Sequence, residues 1–175
     1  NGCQAPHANA DSYASPDPDP DTELGSCQVF FRKIPTDMRQ FRTPSEIQQF
    51  LNRLKYRKEG GARSPLIVEK TRLANCFDGA VYAAAALETL GYPPLIVDMV
   101  AKNDDDHVIA VYRSGGWGAI AKSNTTLLRA RAPVYRSLRE LVMSYFDSYF
   151  NSHGHKSLRS YSAPVNLCRF DETSW

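Results

Sequence analysis

The chain has 175 residues, 42% of them hydrophobic and 23% charged, a balance that suits one globular domain with a substantial core. Its net charge of +2 supplies no field that would select nucleic acid, and the Lys and Arg residues between Arg32 and Arg72 alternate with apolar positions as a solvated face does. No run of about eighteen apolar residues occurs, so no membrane span is expected.

Residues 1–25 are rich in Asp, Pro, Ala, Asn and Ser, with proline and aspartate alternating from Pro16 to Asp21. Few apolar groups are there to bury, so a flexible leader is expected, followed by a single domain over residues 26–175. Val29, Phe30, Phe31 and Ile34 suggest a short strand over residues 28–34. Thr43-Pro44-Ser45-Glu46 is a strong helix start: Thr43 can cap, Pro44 fits the first turn and Glu46 can return a bond to the cap. Ile47, Phe50, Leu51 and Leu54 then form one apolar stripe, with Gln48, Asn52, Arg53 and Lys55 facing solvent and Gly60-Gly61 marking the end. Leu66-Ile67-Val68 is a brief apolar run.

Residues 75–93 are the clearest helix in the chain. Their middle is rich in Ala and Leu, and Gly91 and Pro93 are stop signals. Asn75 has the side chain of an N-cap, which puts Cys76 in the first turn, where free amides and the helix dipole favour an anion. A thiolate is stabilised at such a place and becomes a nucleophile if a base and an oxyanion pocket lie nearby. The plainer alternative is a small buried hydrophobe. Asp78, two residues on, fits better as a support for the helix start than as an acid.

A buried strand is expected over residues 95–100, then the loop Lys102-Asn103-Asp104-Asp105-Asp106, and a second strand that His107 opens and Tyr112 closes. Ser114-Gly115-Gly116 is a hairpin turn, and residues 117–122 return as the partner strand. A last amphipathic helix begins near Ser137, with Leu138, Leu141, Val142, Tyr145, Phe146 and Tyr149 on one face. The tail from His153 is polar, and residues 163–168 read as an edge strand or an extended strap.

Cysteine on the first turn of an Ala-rich helix, a Leu-Gly-aromatic-Pro end, a buried strand, a histidine strand and a Gly-Trp hairpin together resemble the core of the transglutaminase-like superfamily. Within it they are similar to bacterial-type transglutaminase-like cysteine peptidases. The resemblance covers residues 72–124, and the fifteen-residue step from Cys76 to Gly91 agrees with the family's spacing. It implies an α+β, papain-like core: a nucleophile helix packed on an antiparallel sheet, here with extra N- and C-terminal helices.

The resemblance also implies that Cys76 is the nucleophile and His107 its base. The Cys76 amide would be one oxyanion donor, with the second unassigned. The family's usual aspartate, four residues after the hairpin tryptophan, is replaced by Ala121. Asn124 is then the first choice to orient the imidazole and Ser123 the second, with Asp105 or Asp106 as approaches from the loop. The glutamate that often follows the histidine on its strand is replaced by Val111. Trp117 either walls the substrate site or fills the core.

Among other features, Asp104, Asp105 and Asp106 read as a solvated loop rather than a cation site, and His153 and His155 as a surface loop. Cys3, Cys27 and Cys168 are an odd number once Cys76 is set aside, so their pairing stays open. The spacings match no zinc pattern, and no metal or other cofactor is expected. No charged and apolar signal segment opens the chain, meaning that none existed or that it was removed. The compartment is therefore open between cytoplasm and a secreted, periplasmic or lipid-anchored location.

The expected activity is thiol-dependent acyl transfer or hydrolysis at amide bonds of a peptide or protein substrate. Amine transfer by the same thioester chemistry is the first alternative, and a catalytically weak binding or scaffold domain the second.

Overall fold

The computed structural model describes residues 35–58 and 60–173, so the leader over 1–25 and the strand expected over 28–34 lie outside the described residues. The fold is α+β: an antiparallel sheet with helices on both faces.

Helix α1 (Pro44–Arg53) starts as its sequence dictates, with Thr43 and Glu46 forming a capping box and Pro44 in the first turn. Its end differs from the expectation at Gly60-Gly61. Leu54 turns extended, and Lys55 begins β1 (Lys55–Tyr56), which pairs in parallel with β2 (Leu73–Ala74). The buried ammonium of Lys122 donates to the carbonyls of Leu51 and Leu54 at the end of the helix, the first of which also accepts from the Leu54 amide. Gln48, expected in solvent, is buried: its amide donates to the Ala121 carbonyl at 2.9 Å and accepts from the Ala121 amide at 3.0 Å.

Between β1 and β2 the brief apolar run is a helix, α2 (Pro65–Thr71), started by Pro65 and ended at Arg72 in the left-handed region. Only Val68 of the run is fully buried, because Leu66 and Ile67 face outward. Helix α3 (Cys76–Thr89) is buried from Asp78 to Leu87. Its small residues permit close packing. A Cβ at Gly79 would fall 2.3 Å from the Lys122 Cβ, so glycine lets α3 press against the segment after β5.

The sheet strands are β3 (Leu95–Ala101), β4 (His107–Arg113), β5 (Trp117–Ile120), β6 (Arg131–Tyr135), β7 (Leu158–Tyr161) and β8 (Val165–Asn166). Their order is β6-β5-β4-β3-β7, with β8 also on β3. The first three strands follow the expected hairpin pattern. β6 and β7 were not anticipated, since neither carries a full apolar alternation.

Side chains alternate between two cores. Ile96, Ala110, Tyr112 and Ile120 pack with α1, α2 and α3. Leu95, Val97, Met99, Ile109 and Val111 pack against α4 (Leu138–Phe146) on the other face. This helix ends before Tyr149, which is nevertheless buried against it. No described helix is long and apolar enough to cross a membrane. Cys76 is a free thiol, and Cys168 is disulfide-bonded.

Candidate active site

The thiol side of the site is built from the start of α3. The Asn75 side chain accepts from the Asp78 amide at 2.8 Å, and Asp78 Oδ2 accepts from the Asn75 amide at 3.2 Å, a reciprocal cap. Asp78 is wholly buried and does more than cap. Its Oδ2 receives Arg57 Nη2 at 2.8 Å and Nε at 3.1 Å, and its Oδ1 receives the Arg63 amide at 2.8 Å. Arg57 is itself almost fully buried and donates onward to the carbonyls of Gly60 and Gly61. A buried pair of this kind is tolerated only with its remaining hydrogen-bonding positions filled. The chain after β1 is thereby fastened to the helix start.

Cys76 is the first helical residue and is half-exposed. Its Sγ lies 3.9 Å from the carbonyl of Asp106, the residue before His107. Tyr56 stands on β1 opposite Ala74, two residues before Cys76, and Cys76 is among the groups that act on its hydroxyl. Burial raises the Tyr56 pKa most, and the charges of Cys76 and Asp105 add to the effect.

The imidazole side stands on β4. His107 is only 5% exposed, and its Nε2 lies 2.8 Å from the Leu128 carbonyl. A carbonyl can only accept, so Nε2 carries the proton and Nδ1 is the basic nitrogen of the neutral ring. Burial lowers the His107 pKa, the Leu128 carbonyl opposes that shift, and Arg131 adds to it. Tyr149 stands edge-on to the ring with centroids 6.5 Å apart, and its hydroxyl donates to the Asp105 carbonyl at 2.7 Å. Cys76 is among the charges that act on Tyr149, so this ring adjoins both halves of the site. No hydrogen bond joins the thiol directly to the imidazole; in unliganded sites such bonds are often long and tighten with substrate.

The other nominated residues are placed as follows. Ser123 is buried, its hydroxyl accepting from the Thr125 amide at 3.0 Å and its carbonyl from Arg129 Nε at 3.0 Å. Asn124 is exposed on the same loop. Neither is the partner of His107, whose Nε2 is taken by a peptide carbonyl instead. Trp117 is in the core beside α4 and pairs with Arg113, at the far end of β4 from His107. Six residue steps of β4 run from His107 to the Arg113 that pairs with Trp117, roughly 20 Å.

Asp104 accepts from the Ser157 hydroxyl at 2.6 Å and Asp106 from the Ala101 amide at 2.7 Å, so these carboxylates tie the loop to its neighbours. The rings of His153 and His155 stack 6.3 Å apart. Among the described residues no group of three or more His, Cys, Asp or Glu side chains could hold a metal ion.

Arg57, Tyr56, Leu128 and Tyr149 take part in the site without having been singled out from the sequence. Tyr56 sits in a two-residue strand that has no periodicity to read, and Leu128 acts through its backbone. Tyr149 was legible only as one member of an apolar face. The chain matches no family model and no curated protein.

Proposed function

We propose that this protein is a thiol-dependent amide hydrolase with a papain-like, transglutaminase-like core, acting on a peptide or protein substrate. The observation that carries the reading is the joining of two elements at one point. The first residue of a buried helix directs its free thiol to the carbonyl that precedes His107, and the far nitrogen of that imidazole is fixed by a second carbonyl. The packing of α3 on an antiparallel sheet that contains the histidine strand supports the same reading.

The chemistry follows from the groups in place. His107 Nδ1 takes the proton of the Cys76 thiol, and the sulfur adds to the substrate carbonyl carbon to give a tetrahedral oxyanion. The Cys76 amide, free of any intrahelical acceptor, donates to that oxygen. Collapse restores the carbonyl and breaks the C–N bond, with the leaving amine taking the proton from the imidazolium. Water then gives a proton to His107 as its oxygen adds to the thioester, and the sulfur is released. The Leu128 carbonyl holds the ring through these transfers and replaces the side chain that a triad would use.

The test is the rate of Cys76 alkylation by iodoacetamide from about pH 4 to 9 in the parent and in His107→Ala, with sites mapped by mass. Rapid labelling that persists well below the ordinary thiol titration near about 8.5, and is lost in the variant, is the expected result. Slow labelling with the same ordinary profile in both proteins would favour a binding or scaffold domain. Primary amines added with a peptide substrate separate hydrolysis from amine transfer by the product formed.

A further inference from the structure

The first oxyanion donor, the Cys76 amide, comes with any cysteine at a helix start; a second has to come from elsewhere in the fold. The β1–β2 ladder brings one. Tyr56 stands opposite Ala74, two residues before Cys76, and the Arg57 amide donates to the Ala74 carbonyl at 3.0 Å. The side chain of Arg57 is locked to Asp78 on the other side of the same turn. Tyr56 is therefore held beside the start of α3 by the residues that hold Cys76, and Cys76 is among the groups that act on its hydroxyl. Burial and nearby negative charge keep that hydroxyl protonated across the neutral range, so it remains a donor.

We propose that Tyr56 is a catalytic residue: its hydroxyl and the Cys76 amide together donate to the oxyanion formed when the Cys76 sulfur adds to the substrate carbonyl. The inference rests on the acyl-transfer reading given above. As the C–S bond forms, the carbonyl π pair moves onto oxygen, which gains hydrogen bonds from the two donors and no proton. When the tetrahedral centre collapses, that pair returns to re-form the carbonyl, the amine leaves with the proton carried by His107, and Tyr56 keeps its own. A donor fixed before the reaction needs no reorganisation as charge develops, which is the condition under which such a bond accelerates the step.

Two reagents that attack the same sulfur by different routes separate this role from a structural one. Iodoacetamide is displaced at a methylene carbon, with no oxyanion at the reacting atom. p-Nitrophenyl acetate acylates the thiol through a tetrahedral oxyanion. Both rates are measured in the parent and in Tyr56→Phe, at a temperature where the far-ultraviolet dichroism of the two proteins coincides.

The expected result is acylation slowed about a hundredfold relative to alkylation in Tyr56→Phe. Unchanged acylation, or equal losses in both rates, would overturn the assignment while leaving Cys76 and His107 as the reacting pair. A parent acylated no faster than free cysteine would overturn the acyl-transfer reading itself, and Tyr56 with it.

Discussion

The two halves of the candidate site are held by different kinds of bond. At the thiol, side chains hold the backbone: Asn75, Asp78 and Arg57 close a buried network around the first turn of α3. At the imidazole, backbone holds the side chain: Leu128 supplies the carbonyl to Nε2, and the carbonyl of Asp105 receives the Tyr149 hydroxyl beside the ring. The first half can be dismantled by a point substitution, whereas a main-chain carbonyl is present whatever residue carries it. Damage to the two halves should therefore look different.

The largest effect is expected on the thiol side. Asp78→Ala removes half the cap and the carboxylate that faces the buried Arg57 guanidinium, so a loss of about 3–5 kcal/mol is expected in urea denaturation. A cost below about 1 kcal/mol would mean that solvent reaches Arg57 and that the contrast between the halves is overstated.

A smaller, pH-dependent effect is expected on the imidazole side. Burial lowers the His107 pKa, so the folded protein resists a proton that the unfolded chain accepts. The neutral ring costs nothing above the ordinary histidine value near about 6.5, and stability falls as pH drops below it. The urea midpoint of the parent should decline between about pH 7 and pH 5 more steeply than that of His107→Gln. Parallel declines would place the proton elsewhere.

The smallest effect sharpens the role of the carbonyl. Asn124→Ala should change stability by less than about 0.5 kcal/mol and leave the pH profile of Cys76 alkylation in place, because Asn124 is exposed and Leu128 takes Nε2. A displaced profile would restore Asn124 as the group that orients the ring.

These differences also explain what could be read in advance. Asn75 before an Ala-rich run marks a helix start because a side chain caps it, and Ser114-Gly115-Gly116 marks a hairpin because its backbone needs glycine; the structure has both. The end of α1 was not legible, since Gly60 and Gly61 lie downstream of a break that pairing with β2 and the Lys122 ammonium determine. Gln48 looked like a solvent-facing residue because its neighbours are polar, yet its amide matches both backbone groups of Ala121. Leu128 could not have been found from side-chain chemistry, since any residue offers the same carbonyl. Arg57 and Asp78 stand 21 positions apart, and only the folded chain shows that they meet.

The double pairing of β3 bears on how copies of the chain meet at high concentration. β7 takes the Met99 to Ala101 end of its outer edge and β8 the Leu95 and Ile96 end, so this seven-residue strand shows neighbours little open backbone. The outermost strands left are short, and β6, at the opposite end of the sheet, carries Pro133, which has no amide to donate. Strand-to-strand aggregation needs a long uninterrupted ladder, and among the described residues this sheet provides none.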